Sequence, residues 1–352
     1  MNKFWSPVAS GIEPYTPGEQ PKERKYVKLN TNENPYPPSP KAVEAFKSLE
    51  ASEMRLYPDP ECASLRAAIA SVYGVKADEI FVGNGSDEVL AFCFPAFFAG
   101  RGEVVFTDLT YSFYPVFADL YGVPYKAVPL NDDFSVPIER LVSDTGVIIA
   151  NPNAPTSVAL PASEIEKIVM QNPDCVVIVD EAYVDFGAES VVRLVGKYPN
   201  LLVVQTMSKS RSLAGLRIGY AIGDRELIGA LNAIKNSFNS YTLDRAALRA
   251  AEAAVLDTEY FAGVCGRIIA TRDKTVARLR EIGFDVPDSK ANFMFVSHSR
   301  VPAERIFAAL REKGVLVRYW NKPRISNRLR ITVGTDEEMD VLIRALEEIV
   351  SE

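Results

Sequence analysis

Between about residue 60 and residue 245, short unbroken runs of β-branched and other apolar residues alternate with stretches whose apolar positions are spaced as on one face of a helix. The runs EIFVG, EVVFTD, GVIIA, CVVIVD, LLVVQT and RIGYAIG read as strands. They are apolar at successive positions, not alternate ones, so both faces must be covered. This predicts an α/β fold with a largely parallel sheet between helices. In such sheets ligands bind beyond the carboxyl ends of the strands, so the residues that follow each run are where chemistry is expected. After residue 245, a long helical pattern through TEYFAGVCGRIIATRDKTVARLREIG leads to the runs NFMFVS, VLVRY and RLRITVG, a smaller α+β unit. Residues 1 to about 45 are dense in Pro, Asn and Tyr (EPYTPGEQP, NTNENPYPPSP), which favours an extended arm over a helix. The predicted division is an arm over 1–45, a large domain over 46–245 and a small domain over 246–352.

Composition narrows the chemistry. At 352 residues, 47% of them hydrophobic and 24% charged, the chain has enough apolar material for a large core and no disordered tract. Its net charge of -7 argues against nucleic acid as a partner, since phosphate backbones are held by surplus Lys and Arg; an anionic substrate would need a local basic pocket. MNKFWSPVAS lacks the apolar core of a secretory signal, and the run VLAFCFPAFFAG is broken by Pro95 and too short to span a bilayer, so a cytoplasmic location is expected, away from membranes. Cys62, Cys93, Cys175 and Cys265 show no CxxC spacing and sit in apolar contexts that suit buried thiols; no metal site is expected. The single histidine, His298, nearly excludes Ser-His-Asp hydrolysis, and a surface position at a strand end is expected for it. Proton transfer must fall to Lys, Tyr or carboxylates.

Three stretches after predicted strands carry candidate chemistry. In FVGNGSDEVLAF a strand enters a Gly-rich turn in which Ser86 can cap a helix whose first turn holds Asp87 and Glu88; free backbone N–H groups there suit a phosphate, or the turn is a plain strand-to-helix cap. It matches neither GxxxxGK[ST] nor GxGxxG. In CVVIVDEAYVDF, Asp180 directly follows an apolar strand, so either a cation faces it or it bonds loop amides. Tyr183 would lie beside it if a helical turn follows. In TMSKSRSLAGLRIGY, Lys209 follows the strand LLVVQT and emerges at the same sheet edge. Desolvated there, its amine would have a lowered pKa and act as a nucleophile and proton carrier; the alternative is a solvated surface lysine. Thr206, Ser208 and Arg217 add donors suited to a phosphate dianion.

A carboxylate, a phenol, a lysine, phosphate donors and a helix N-terminus, distributed after three separate predicted strands, resemble the fold type I pyridoxal-phosphate enzymes. The ordered series LNTNENPYPPSP, YPDP, NGSDE, NPNAPT, VDEAY, SKSRSLAGLRIGY and LRITVG covers nearly the whole chain and is most similar to the class II histidinol-phosphate aminotransferase family. The resemblance implies a mostly parallel seven-stranded sheet in the large domain, pyridoxal 5'-phosphate as cofactor, and glutamate-dependent transamination of imidazole acetol phosphate to L-histidinol phosphate, a ping-pong step of histidine biosynthesis. Lys209 would hold the cofactor aldehyde as a Schiff base, Asp180 would pair with the ring nitrogen and Tyr183 with the ring 3-oxygen. Gly85, Ser86, Thr206, Ser208 and Arg217 would cradle the phosphate, with Asp87 also a cofactor contact, and Tyr111 would stack on the ring. Tyr57 would reach the phosphate from the neighbouring subunit of a homodimer. The family usually reads NPNNPTG, its second Asn binding the 3-oxygen; here Ala154 and Ser157 replace Asn and Gly, and Asn153, or Asn151, is expected to supply the missing donor. Arg330 is implied for the substrate carboxylate, with Arg318, Tyr15, Asn32 and Asn239 completing the substrate pocket; Arg318 could instead be a surface ion-pair residue. An aromatic amino-acid aminotransferase and a decarboxylase resembling threonine-phosphate decarboxylase are the rival readings. A regulatory binding protein would need a DNA-reading module for which this acidic chain has no room.

Overall fold

The structure, a computed structural model, describes residues 3–21 and 23–351. Its main sheet has seven strands: β1 Ile80–Gly83, β2 Val104–Thr107, β3 Tyr125–Val128, β4 Gly146–Ala150, β5 Val176–Asp180, β6 Leu201–Thr206 and β7 Gly219–Gly223. Their spatial order is β1-β7-β6-β5-β4-β2-β3. Every strand residue is buried except in edge strand β3, whose first three are exposed. The unbroken apolar runs thus serve a sheet packed on both faces. β7 alone runs against its neighbours, while the other pairings are parallel. That reversal brings the first residue of β7, Gly219, into register with Gly83 at the end of β1 and Thr206 at the end of β6. Asp180, at the end of β5, pairs with Ala150 of β4 and Val204 of β6. One edge of the sheet therefore presents the ends of β1, β4, β5 and β6 and the start of β7.

A second, antiparallel sheet has the order β10-β11-β9-β8, formed by β8 Phe284–Asp285, β9 Phe293–His298, β10 Arg318–Tyr319 and β11 Leu329–Thr332. Its core includes Val264 and Ile268 of the helix Thr258–Glu281 and Leu342 and Leu346 of the helix Asp336–Ser351. The helix Arg245–Leu256, assigned to the small domain from sequence, buries Ala247, Ala250, Ala251 and Ala254 in the core of the large sheet instead.

The arm is extended only in part. Val27–Lys28 pairs in parallel with Val315–Leu316, and the Thr332 N–H donates to the Leu29 carbonyl at 3.0 Å. Residues 40–47, however, form a helix: Pro40 occupies its first turn, where no N–H is needed, and Ser39 caps it by accepting from the Lys41 N–H at 3.2 Å. The prolines that argued against a helix here start one. His298 ends β9 but is buried, its Nδ1 accepting from the Val301 N–H at 3.1 Å; the surface position expected for it is not observed. All four cysteines are buried and free.

Candidate active site

A cavity at the sheet edge is lined by Ser86, Asp87, Tyr111, Asp180, Tyr183, Thr206, Ser208, Lys209 and Arg217 from the large sheet, by Tyr15 and Asn32 from the arm, and by Arg318 and Arg330 from the small sheet. Thirteen of the residues expected from sequence thus face one space. Lys209 follows β6 and points into it, its Nζ donating to the Thr31 carbonyl at 3.3 Å. Burial, then the Arg330 charge, lowers its pKa from the ordinary 10.5 to about 8. The segment is held on both sides: the Asn34 amide donates to the Lys209 carbonyl at 3.0 Å, and the Ser210 hydroxyl donates to the half-buried Asp185 carboxylate at 2.5 Å. Sequence reading missed Asn34 and Asp185.

Asp180 is buried, and its carboxylate accepts from the Tyr114 hydroxyl at 2.7 Å and the Ala182 N–H at 3.1 Å. Tyr114 is a third omission; its only signal was a tyrosine inside an apolar helix, where a fully buried hydroxyl needs a partner. No cation pairs with Asp180 among the described residues, and burial raises its pKa to about 6. A carboxylate so placed favours a buried N–H⁺ beside it.

Ser86 does not cap its helix. The helix begins at Gly85, with Asn84 at the cap position and no side-chain cap bond, so the first backbone N–H groups face the cavity end unpaired by a cap. Two glycines let this end pack closely against its neighbours. Gly85 has φ +83, and a Cβ there would come within 2.5 Å of Arg217 Nη2; a Cβ on Gly219 would run into Ser86 N and the Gly85 carbonyl carbon. Gly219 was not singled out from sequence because its importance arises from the β7 reversal. Arg217, itself at φ +54, donates to Ser208 Oγ at 3.3 Å and to Asp87 Oδ2 at 2.9 Å, while the Tyr111 hydroxyl donates to Asp87 Oδ1 at 2.7 Å. Thr206 Oγ1 accepts from the Ser208 N–H at 3.1 Å. Arg211, from the same stretch, turns away to the Ala254 carbonyl at 2.6 Å and the Phe261 ring.

On the opposite wall, Arg330 Nη2 donates to the Asn30 carbonyl at 2.9 Å, its guanidinium lies over Trp320 and Phe293, and its buried Nε has no partner among the described residues. Burial lowers its pKa. The Arg330 guanidinium lines the cavity, and a guanidinium so placed is a site for an anion. Arg318 pins the arm, donating to the Thr16 and Pro17 carbonyls at 2.9 and 3.2 Å; Tyr15 stacks on Phe113 at 4.4 Å between ring centres.

Four residues named from sequence are elsewhere. Asn153 is buried off the cavity: its amide donates to the Leu109 carbonyl and to Thr156 Oγ1, both at 2.9 Å, so it cannot supply the donor that Ala154 lacks. The turn rotates its side chain inward, and Ser157, where the motif usually has Gly, takes φ +65. Asn151 is likewise engaged, with Leu160, through both its amide and its carbonyl oxygen. Tyr57 is 76% exposed and stacks on Tyr241, and Asn239 is an exposed helix end whose Oδ1 accepts from the Tyr241 N–H at 3.1 Å; neither reaches the cavity of its own chain.

Comparison with known proteins agrees with this geometry. A family model described as aminotransferase class I and II matches residues 24–346. A histidinol-phosphate aminotransferase of Marinomonas sp. is 56% identical over 351 residues, 98% of this chain and 99% of that one; one of Clostridium acetobutylicum is 54% identical over 352 residues, all of both chains. Among solved structures, the histidinol-phosphate aminotransferase of Sinorhizobium meliloti in complex with pyridoxal-5'-phosphate matches with a TM-score of 0.89 and 25% identity, over 99% of this chain and 98% of that one. Matched by the family model over most of its length and more than half identical to such relatives from end to end, the chain belongs to the aminotransferase class I and II family, among its histidinol-phosphate aminotransferases.

Proposed function

We propose that the protein transfers the amino group of L-glutamate to imidazole acetol phosphate, giving 2-oxoglutarate and L-histidinol phosphate, with pyridoxal 5'-phosphate as cofactor. The observation that carries this is one cavity holding a lysine with a pKa near 8, a buried carboxylate that no cation among the described residues pairs with, and a guanidinium on the facing wall. The cofactor fits the donor set: Asp180 suits a protonated ring nitrogen, the Gly85–Ser86 helix end with Thr206, Ser208 and Arg217 suits a phosphate, and Gly85 and Gly219 let Arg217 and the start of β7 approach that helix end closely. When bound, it supplies an aldehyde and an electron-withdrawing ring.

The residues of this chain do the rest. Lys209, with its amine near its pKa at about neutral to mildly alkaline pH, takes a proton at Nζ and returns it. Asp180 stabilises positive charge on its neighbour, and Tyr114 fixes the carboxylate's direction. Arg330 receives the carboxylate of glutamate in one half-reaction and the phosphate ester of the second substrate in the other, since both are planar or tetrahedral oxyanions that a guanidinium fork accepts.

Within this reading the protein is a cytoplasmic homodimer. Met54, Leu56, Tyr57, Phe238 and Tyr241 are exposed, an apolar surface that also carries Asn239 and supports a shared site to which Tyr57 and Asn239 of one subunit contribute in the other. The chain from residue 46 through Leu256, which packs on the large sheet, and the residues from Thr258 onward, which pack on the small sheet, would be its large and small domains. Among the described residues, no helix is long and apolar enough to cross a membrane. The test is to load the protein with pyridoxal phosphate and glutamate, offer imidazole acetol phosphate, phenylpyruvate and other keto acids in parallel, and assay carbon dioxide release from threonine phosphate. The highest kcat/KM with imidazole acetol phosphate is expected; a preference for phenylpyruvate, or decarboxylation, would overturn the assignment.

A further inference from the structure

Asn32 holds an unusual place in the cavity wall. It sits in the left-handed region, φ +57, and is buried among partners from both sheets. Its N–H donates to Thr332 Oγ1, and the Thr332 hydroxyl donates back to Asn32 Oδ1, both at 3.0 Å. The Asn292 amide donates to the Asn32 carbonyl, also at 3.0 Å. These bonds fix which way the side-chain amide faces. Turned over, Asn32 would set two donors on the Thr332 hydroxyl and leave that hydroxyl's proton without its acceptor. With Oδ1 on Thr332, Nδ2 faces Tyr183 and donates to the phenol oxygen at 3.0 Å.

The consequence falls on Tyr183. Its oxygen accepts from Asn32, and its own proton has no acceptor among the described residues, while both side chains line the cavity. The phenol is thereby left with its proton directed into the cavity, and a hydrogen bond received at the oxygen makes that proton a stronger donor. Nearby, Ala154 presents only a methyl group to the same space.

We propose that Asn32 is a positioning residue: the chain Thr332 to Asn32 to Tyr183 aims the phenol proton at the bound cofactor's ring oxygen and supplies the polarisation that no side chain at position 154 provides. The inference rests on the cofactor assignment above. It gives a role to the arm, since the segment 29–32 that seats Asn32 is held by β11, the strand that also carries Arg330.

The test is the pH midpoint of the visible absorption of protein reconstituted with pyridoxal phosphate, a readout independent of turnover. A donor to the ring oxygen favours its ionised form, so Asn32→Ala is expected to raise the midpoint by about one pH unit, the tenfold effect of one neutral hydrogen bond. Thr332→Val, which removes the anchor alone, moves it in the same direction by less and serves if the first variant does not fold. In Tyr183→Phe the midpoint is raised already, and adding Asn32→Ala leaves it there. An unmoved midpoint in Asn32→Ala, or an equal further rise in the Tyr183→Phe background, overturns the relay while the cofactor assignment stands. Absence of a visible band in wild-type protein overturns both.

Discussion

Replacing Lys209 by methionine separates the folding and catalytic consequences of one side chain. The structure holds an amine in a cavity wall beside Arg330, with the Thr31 carbonyl as its hydrogen-bond acceptor among the described residues, and these surroundings lower its pKa from 10.5 to about 8. The gap corresponds to about 3 kcal/mol of destabilisation of the folded, cofactor-free protein whenever the lysine is charged in both states, an upper value because the cavity admits water. Methionine is similar in length and carries no charge, so it keeps the packing and removes the penalty. Below about pH 8 both the folded and the unfolded lysine are protonated, and the penalty is at full size. Between about pH 8 and 10.5 the unfolded chain binds the extra proton, wild-type stability rises with pH relative to the variant, and the difference closes. Urea unfolding of both cofactor-free proteins at about pH 7 and about pH 10.5 measures it; the titrations of other groups are common to both and cancel. Lys209→Met is expected to be the more stable protein at the lower pH by up to about 3 kcal/mol, with no transamination, and to lose the advantage at the higher one. A variant no more stable than wild type at neutral pH, or a gain that ignores pH, would refute the reading of Lys209 as a desolvated amine.

Three further predictions follow from the same geometry. Asp180→Asn removes a carboxylate whose pKa is raised from 3.8 to about 6; wild-type stability should fall as pH rises through that window, because the unfolded chain loses its proton first, and the variant should lack this slope in urea melts while binding pyridoxal phosphate more weakly. Gly219→Ala drives a methyl into the backbone of Ser86 and Gly85, and is expected to destabilise by at least about 1–3 kcal/mol and to weaken cofactor binding, measured by thermal unfolding and by fluorescence titration. Arg330→Lys keeps the charge but loses the fork, so kcat/KM for glutamate should drop by about 10- to 100-fold, with glutamate KM rising in steady-state kinetics.

Lys209 and Asp180 could be found from sequence because each stands where an apolar run ends, and Arg217 because it shares the Lys209 stretch, just before the next run; a sheet packed on both faces leaves only strand ends for polar chemistry. What escaped reading depends on separations that local pattern does not encode. Tyr114 meets Asp180 across 66 residues, and Thr332 meets Asn32 across 300; Tyr114 and Thr332 are ordinary polar residues until packing removes water from around them. Asn153 failed for the converse reason, since being next to Ala154 in the chain says nothing about which way a tight turn directs an amide. The direction of β7 is the deepest case. RIGYAIG is as uniformly apolar as its parallel neighbours, so the pattern reports burial and is silent on polarity. Reversing that strand exchanges the end that meets the cavity, from Gly223 to Gly219, and turns the latter from a residue of no evident purpose into the floor beneath the helix end at Ser86. Side-chain chemistry could be assigned one residue at a time, but the backbone cradle exists only once two strands run in opposite directions.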